Sequence, residues 1–187
     1  MKKLFLFYLI ITLGLGLSVQ SCSKSDSNSD IKPQPAKVQN SKKETAKTQY
    51  RKAPDFELED QHGNIVKLSD HSDKVVIVDF WATWCGPCRM EIPGFVRLYK
   101  KYNKKGLEIN GVSFDRDGWK AVKPFMKQYK INYPIVLRNK QIVNSYGGIR
   151  SIPTTFIINK NGEIVEKIIG YHPEVYFDNK IKELLDS

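Results

Sequence analysis

Val75-Val76-Ile77-Val78-Asp79-Phe80-Trp81 is a β-branched and aromatic run whose first polar side chain is Asp79. An apolar run without alternation reads as a central strand covered on both faces. Leu107 to Phe114 and the shorter Ile135-Val136-Leu137 read as further strands. Between the first two, the pattern predicts a helix starting near Cys85 and running to about Tyr102, ending before Gly106. From Trp119 to Tyr129, Val122, Phe125, Met126 and Tyr129 fall on one helical stripe. Pro124 lies inside that stripe and predicts a kink or a late start. Gln141 to Tyr146 reads as a short helix and Val175 to Leu185 as a closing one. Two hairpins complete the pattern. Phe56-Glu57-Leu58 and Ile65-Val66-Lys67-Leu68 flank a polar turn, and Thr154–Ile158 and Glu163–Ile169 flank Asn161-Gly162, a strong turn signal. There is no internal repeat. Strand, helix, strand and then an antiparallel hairpin predict an α/β fold with a mixed central sheet and helices on both sides.

The first fifty residues follow a different logic. Lys2 and Lys3 precede an uncharged apolar run from Leu4 to Leu17, and Ser18-Val19-Gln20-Ser21 follows. A positive start, a short apolar core and small residues before a break describe an export signal over residues 1–21. The run is shorter than the ~20 residues a spanning helix needs. Val19-Gln20-Ser21-Cys22 resembles a bacterial lipoprotein cleavage box, which implies a lipidated Cys22. An uncleaved anchor and a secreted chain without lipid are the alternatives. Residues 22–50 are rich in Ser, Lys, Asn and Gln and lack the apolar surface to offset ordering entropy, so they read as a flexible tether. Residues 51–187 form the folding domain.

Charge changes this picture little. The chain carries 30 Lys and Arg against 20 Asp and Glu, or +10, but residues 51–187 hold 22 basic and 17 acidic side chains of interspersed sign. Nucleic-acid binding is therefore not expected. A hydrophobic content of 41% is enough to fill a core, which excludes wholesale disorder.

Candidate chemistry concentrates in Trp81-Ala82-Thr83-Trp84-Cys85-Gly86-Pro87-Cys88. A Cys-x-x-Cys pair serves zinc ligation or redox exchange. Structural zinc needs about four protein ligands; the domain has no third cysteine, and His62, His71 and His172 lack ligand spacing and read as surface or loop residues. Neither a metal nor another cofactor is expected. Redox exchange fits the local structure. A buried strand delivers Cys85 to a helix N-terminus, where free N–H groups and the dipole favour a thiolate. Cys85 is the expected attacking sulfur, and Cys88, one turn on, can close a disulfide. Pro87 costs little in a first turn. A purely structural disulfide would stabilise little across so short a loop.

The run from Val78 to Cys88 resembles the active-site segment of the thioredoxin family, and Gly148-Ile149-Arg150-Ser151-Ile152-Pro153-Thr154 resembles that family's second active-site loop. Ala53-Pro54-Asp55-Phe56-Glu57-Leu58 and the added segment around Trp119–Leu137 resemble the exported TlpA/ResA-like branch. The resemblance reaches from about Asp73 to the C-terminus and implies a thioredoxin-like fold. It further implies a cis-proline at Pro153, and with Ile152 a loop that can hydrogen-bond an extended substrate beside Cys85. Trp84, Gly86 and Pro87 would line the same substrate surface, while Trp81 reads as core. Thioredoxins have an aspartate at the place of Asp79. Burial should raise its pKa and fit it to take the Cys88 proton; the alternative is a strand-end carboxylate satisfied by backbone or water. Glu91 resembles an active-site glutamate of the ResA-like branch, able to tune the sulfurs, and is explained equally well as a complement to the helix dipole. Pro93 resembles the family's helix-kinking proline.

The resemblance implies a lipid-anchored, extracytoplasmic, monomeric thiol–disulfide oxidoreductase. Its expected partners are disulfide-bearing exported proteins, with apocytochrome c as one candidate, and a membrane thiol-transfer protein as electron donor. Gly-Pro between the cysteines, with no histidine there, argues for the reducing end of the family's range. Two rivals stay open. A peroxiredoxin-type peroxidase would carry Pro-x-x-x-Thr/Ser-x-x-Cys, whereas Val78 and Ala82 stand at those places relative to Cys85. A tethered binding or chaperone module would use the proline groove without redox turnover.

Overall fold

The computed structural model describes residues 50–187; the expected export signal, Cys22 and all of the expected tether but Tyr50 lie outside the described residues. Eight strands and four α-helices run in the order β1 (Arg51–Lys52), β2 (Glu57–Glu59), β3 (Ile65–Lys67), β4 (Val75–Trp81), α1 (Gly86–Tyr102), β5 (Leu107–Ser113), α2 (Trp119–Tyr129), β6 (Ile135–Leu137), α3 (Lys140–Ser145), β7 (Thr154–Ile158), β8 (Glu163–Ile169) and α4 (Glu174–Asp186). Six strands form the main sheet in the order β1-β8-β7-β4-β5-β6, and β2 and β3 form a separate hairpin. β4, β5 and β6 are parallel, as helical crossovers require, while β7 and β8 return antiparallel through the Asn161-Gly162 turn.

β4 is buried along its whole length because both of its faces are covered. Val75, Ile77 and Trp81 meet Phe95 and Leu98 of α1, Val122 and Phe125 of α2, and Phe177 and Ile181 of α4. Val76, Val78 and Phe80 meet Phe56, Val66, Leu68, and Ile142 of α3. Three helices thus cover one face, and one short helix with the β2–β3 hairpin covers the other. By strand alternation Asp79 belongs with Ile77 and Trp81, on the face that α1 covers.

Several boundaries differ from the sequence expectation, each for a local reason. Phe56 precedes β2 instead of opening it and is buried as an anchor of the hairpin. Leu68 leaves β3 for a 3-10 turn, Leu68–His71, that tucks its side chain under the sheet. Pro124 lies well inside α2, which nevertheless starts at Trp119, so the late start does not occur. His71 is not a surface histidine; it is half-buried, 4.0 Å from Glu108. β1 had no sequence signal and forms because β8 offers it an edge at Glu163 and Ile164.

Candidate active site

β4 ends at Trp81, and a loop of three residues carries the chain to Cys85, the N-cap of α1. Sulfur takes the place of the usual capping oxygen, with Cys85 Sγ accepting from the Cys88 N–H at 3.2 Å. Pro87 sits in the first turn, where its missing N–H leaves no helical bond unmade. Cys85 and Cys88 are joined as a disulfide with their Cα atoms 5.3 Å apart. Both are buried, Cys88 the more deeply. Gly86 and Pro87 are exposed, and Trp84, at 67% exposure, projects beside the sulfurs.

The second loop arrives from the other half of the sheet. Ile152–Pro153 is a cis peptide immediately before β7. The Ile152 carbonyl oxygen stands 3.6 Å from Cys85 Sγ. Pro153 is buried and Ile152 partly so. Gly170 donates its N–H to the Pro153 carbonyl, which ties the end of β8 to this loop. Trp84, Gly86, Pro87 and Ile152 thereby share one end of the sheet with the disulfide.

Two buried carboxyls, Asp79 of β4 and Glu91 of α1, come from the elements that flank the disulfide. Asp79 is buried and accepts from the Thr155 hydroxyl at 3.2 Å across the β4–β7 ladder. Burial, and then the charge of Glu91, push its carboxyl well above the ordinary aspartate range, against the pull of the Thr155 hydroxyl. Glu91, one turn past Cys88, is buried too, so it does not act as a solvated complement to the helix dipole. Its Oε1 accepts from the His172 N–H at 3.0 Å, while its Oε2 is buried without a protein partner. Burial pushes its carboxyl from 4.5 up to about 7, even against the His172 N–H. Tyr133, also buried, feels both carboxyls, and burial raises its phenol well above the usual value. Thr155, His172 and Tyr133 had no sequence signal; two act through strand pairing or a backbone N–H, and the third sits in a loop far along the chain. Among the described residues no group of three or more His, Cys, Asp or Glu is placed to hold a metal ion.

A cysteine pair at a helix terminus with a backbone carbonyl beside it is the arrangement of a dithiol–disulfide centre, and two buried carboxyls of raised pKa come from the same strand and helix. Residues 50–167 match the family model described as the AhpC/TSA family. The chain belongs to that family. ResA thiol-disulfide oxidoreductase of Bacillus thuringiensis (strain Al Hakam) is 36% identical over 135 residues, covering 72% of this chain and 77% of the relative. The ResA of Bacillus subtilis (strain 168) is 40% identical over 119 residues, covering 63% of this chain and 65% of its own length. Among solved structures, a thiol:disulfide interchange protein of the thioredoxin family from Chlorobium tepidum TLS superimposes with a TM-score of 0.70 at 31% identity, covering 75% of this chain and 99% of that one. StoA from Bacillus subtilis gives 0.59 at 27% identity, covering 68% and 96%. This family member has the thioredoxin-like fold and is a thiol-disulfide oxidoreductase of the ResA type.

Proposed function

We propose that this oxidoreductase works as a reductant outside the cytoplasm, tethered through a lipidated Cys22, and reduces disulfides of exported proteins, apocytochrome c among them. The observation that carries the reading is Cys85 at the α1 N-terminus with the Ile152 carbonyl at 3.6 Å, on a helix packed over the strand that buries Asp79. In the reduced protein the Cys85 thiolate attacks a substrate disulfide, forming a mixed disulfide and releasing one substrate thiolate. An extended substrate is held by hydrogen bonds to the Ile152 backbone and by contact with Trp84, Gly86, Pro87 and Pro153. The ionised form of Asp79 then takes the Cys88 proton, the Cys88 sulfur attacks Cys85 Sγ and closes the disulfide, and the second substrate sulfur leaves as a thiolate that takes its proton back from Asp79 or from solvent. Glu91, sharing the interior with Asp79, tunes the charge that this step must move. A membrane thiol-transfer protein restores the dithiol with two electrons and two protons, since an oxidising compartment does not. The chain acts as a monomer at residues 51–187, on a tether of residues 22–50, after removal of residues 1–21.

Insulin-disulfide reduction tests the reading. Cys85→Ser abolishes turnover, and Cys88→Ser accumulates mixed disulfides that dithiothreitol dissolves. Full turnover by Cys85→Ser would falsify the assignment, and rapid peroxide consumption by the wild type would move it to the peroxidase class.

A further inference from the structure

Ala82, Thr83 and Trp84 link the buried end of β4 to Cys85, and Ala82 and Thr83 lie outside any strand or helix. Thr83 is held twice by one carboxylate. Its N–H donates to Asp115 Oδ2 at 3.0 Å, and its hydroxyl donates to Asp115 Oδ1 at 2.5 Å. Asp115 lies just past the end of β5 and is buried. Ser113 closes the clamp: its hydroxyl donates to Asp115 Oδ2 at 2.9 Å and accepts from the Asp115 N–H at 3.1 Å. Trp81 pairs with Ser113 in the β4–β5 register, and Phe114 donates its N–H to the Trp81 carbonyl at 2.8 Å. The two parallel strands are thus stitched together up to and beyond their last paired residues.

A buried carboxylate is retained where converging donors satisfy it. Three donors converge on Asp115, and two of them belong to the loop that presents Cys85. Capping the end of β5 requires no such contact with Thr83. We propose that Asp115 is a positioning residue for thiol–disulfide exchange, holding Cys85 at the α1 N-terminus and beside the Ile152 carbonyl through Thr83. The inference rests on the reading of Cys85 as the attacking sulfur. It extends to Trp84, which borders a cleft with Phe114, Asp115, Arg116 and Asp117, so the clamp also sets the angle at which the indole meets a docking polypeptide.

Two measurements on the full chain test it: steady-state insulin reduction, and the pH profile of Cys85 alkylation by iodoacetamide in the reduced protein. Asp115→Ala lowers kcat/KM about tenfold, chiefly in kcat, in the range that misplacing a reacting group costs. It also moves the alkylation midpoint of Cys85 upward, because a sulfur that drifts from the helix terminus loses part of its thiolate stabilisation. Thr83→Val keeps the backbone donor and the side-chain shape but loses the hydroxyl, and gives a smaller change in the same direction; Thr83→Ser recovers most of that loss. A folded Asp115→Ala protein with wild-type kcat/KM and midpoint overturns the proposal. Should Asp115→Ala not fold, a wild-type rate and midpoint in Thr83→Val do the same. A wild-type protein that fails to reduce insulin refutes the functional reading instead, and the alkylation midpoints then decide the clamp alone, because they require no turnover.

Discussion

At the scale of single residues, the two interior carboxyls are the costly feature. A carboxyl whose pKa is higher in the folded than in the unfolded protein keeps its proton over a pH range where the unfolded chain has already lost it. Folding stability therefore falls as pH rises through that range, here from about 4.5 to about 7 for Glu91. The displacement corresponds to about 3 kcal/mol once both states are ionised. Glu91→Gln removes the ionisation while leaving an oxygen for the His172 N–H. It should match the wild type near pH 4 and exceed it in stability by roughly that amount at pH 8. It should also bring Asp79 down, because the Glu91 charge contributes to raising that group. Urea denaturation of the oxidised protein at a series of pH values measures the difference. Equal stability of the two proteins at pH 8 would mean that Glu91 bears no burial cost.

At the scale of elements, packing across β4, β5 and β6 leaves room for the site. Gly111 stands opposite Asp79 in the ladder, and a Cβ there would lie 2.5 Å from Ile135 Cδ1 and 2.9 Å from Trp81 Nε1. Neither neighbour is free to move, since both are fully buried. Gly111→Ala should destabilise by about 1–3 kcal/mol, visible as a lower urea midpoint at unchanged slope; a midpoint as in the wild type would show that β6 yields easily. The same ladder explains what could be read from the chain. β4 and β7 are buried along their whole length and α1, α2 and α4 each bury several apolar residues, so pattern gave them to within a residue or two, whereas β8, mostly half-buried, was marked by the Asn161-Gly162 turn. β1 is two exposed polar residues whose pairing depends wholly on β8, and no local pattern encodes that. In the site, Cys85 and Cys88 stood out because their chemistry is tied to residue type and spacing, while the cis-proline at Pro153 was implied only by the family resemblance of its loop. The partners of Asp79, Glu91 and Thr83 lie 76, 81 and 32 residues away, and one of them is a backbone N–H that any residue could supply.

At the scale of the whole molecule, the direction of electron flow depends on how well the fold stabilises the reduced pair. A strong oxidant stabilises its reduced form, whereas a reductant leaves it unfavoured. Here the α1 N-terminus favours a thiolate at Cys85, but Glu91 on the same helix and Asp79, which feels the Glu91 charge, oppose further negative charge in this interior once ionised. The opposition, together with a Gly-Pro dipeptide that adds no positive charge, places the expected potential near that of thioredoxin, about −270 mV, and far from the strong oxidant DsbA at about −120 mV. The gap amounts to about 7 kcal/mol for two electrons, so the two outcomes separate cleanly in a redox titration against glutathione or dithiothreitol. Because Glu91 is charged above about pH 7, Glu91→Gln should raise the potential at pH 8, by about 30 mV for each 1.4 kcal/mol of repulsion removed, and change it little at pH 5.5. A wild-type value near that of DsbA would reverse the proposed direction and make this chain a donor of disulfides. A low value that Glu91→Gln leaves unmoved at pH 8 would keep the direction and assign it to the helix and the dipeptide alone.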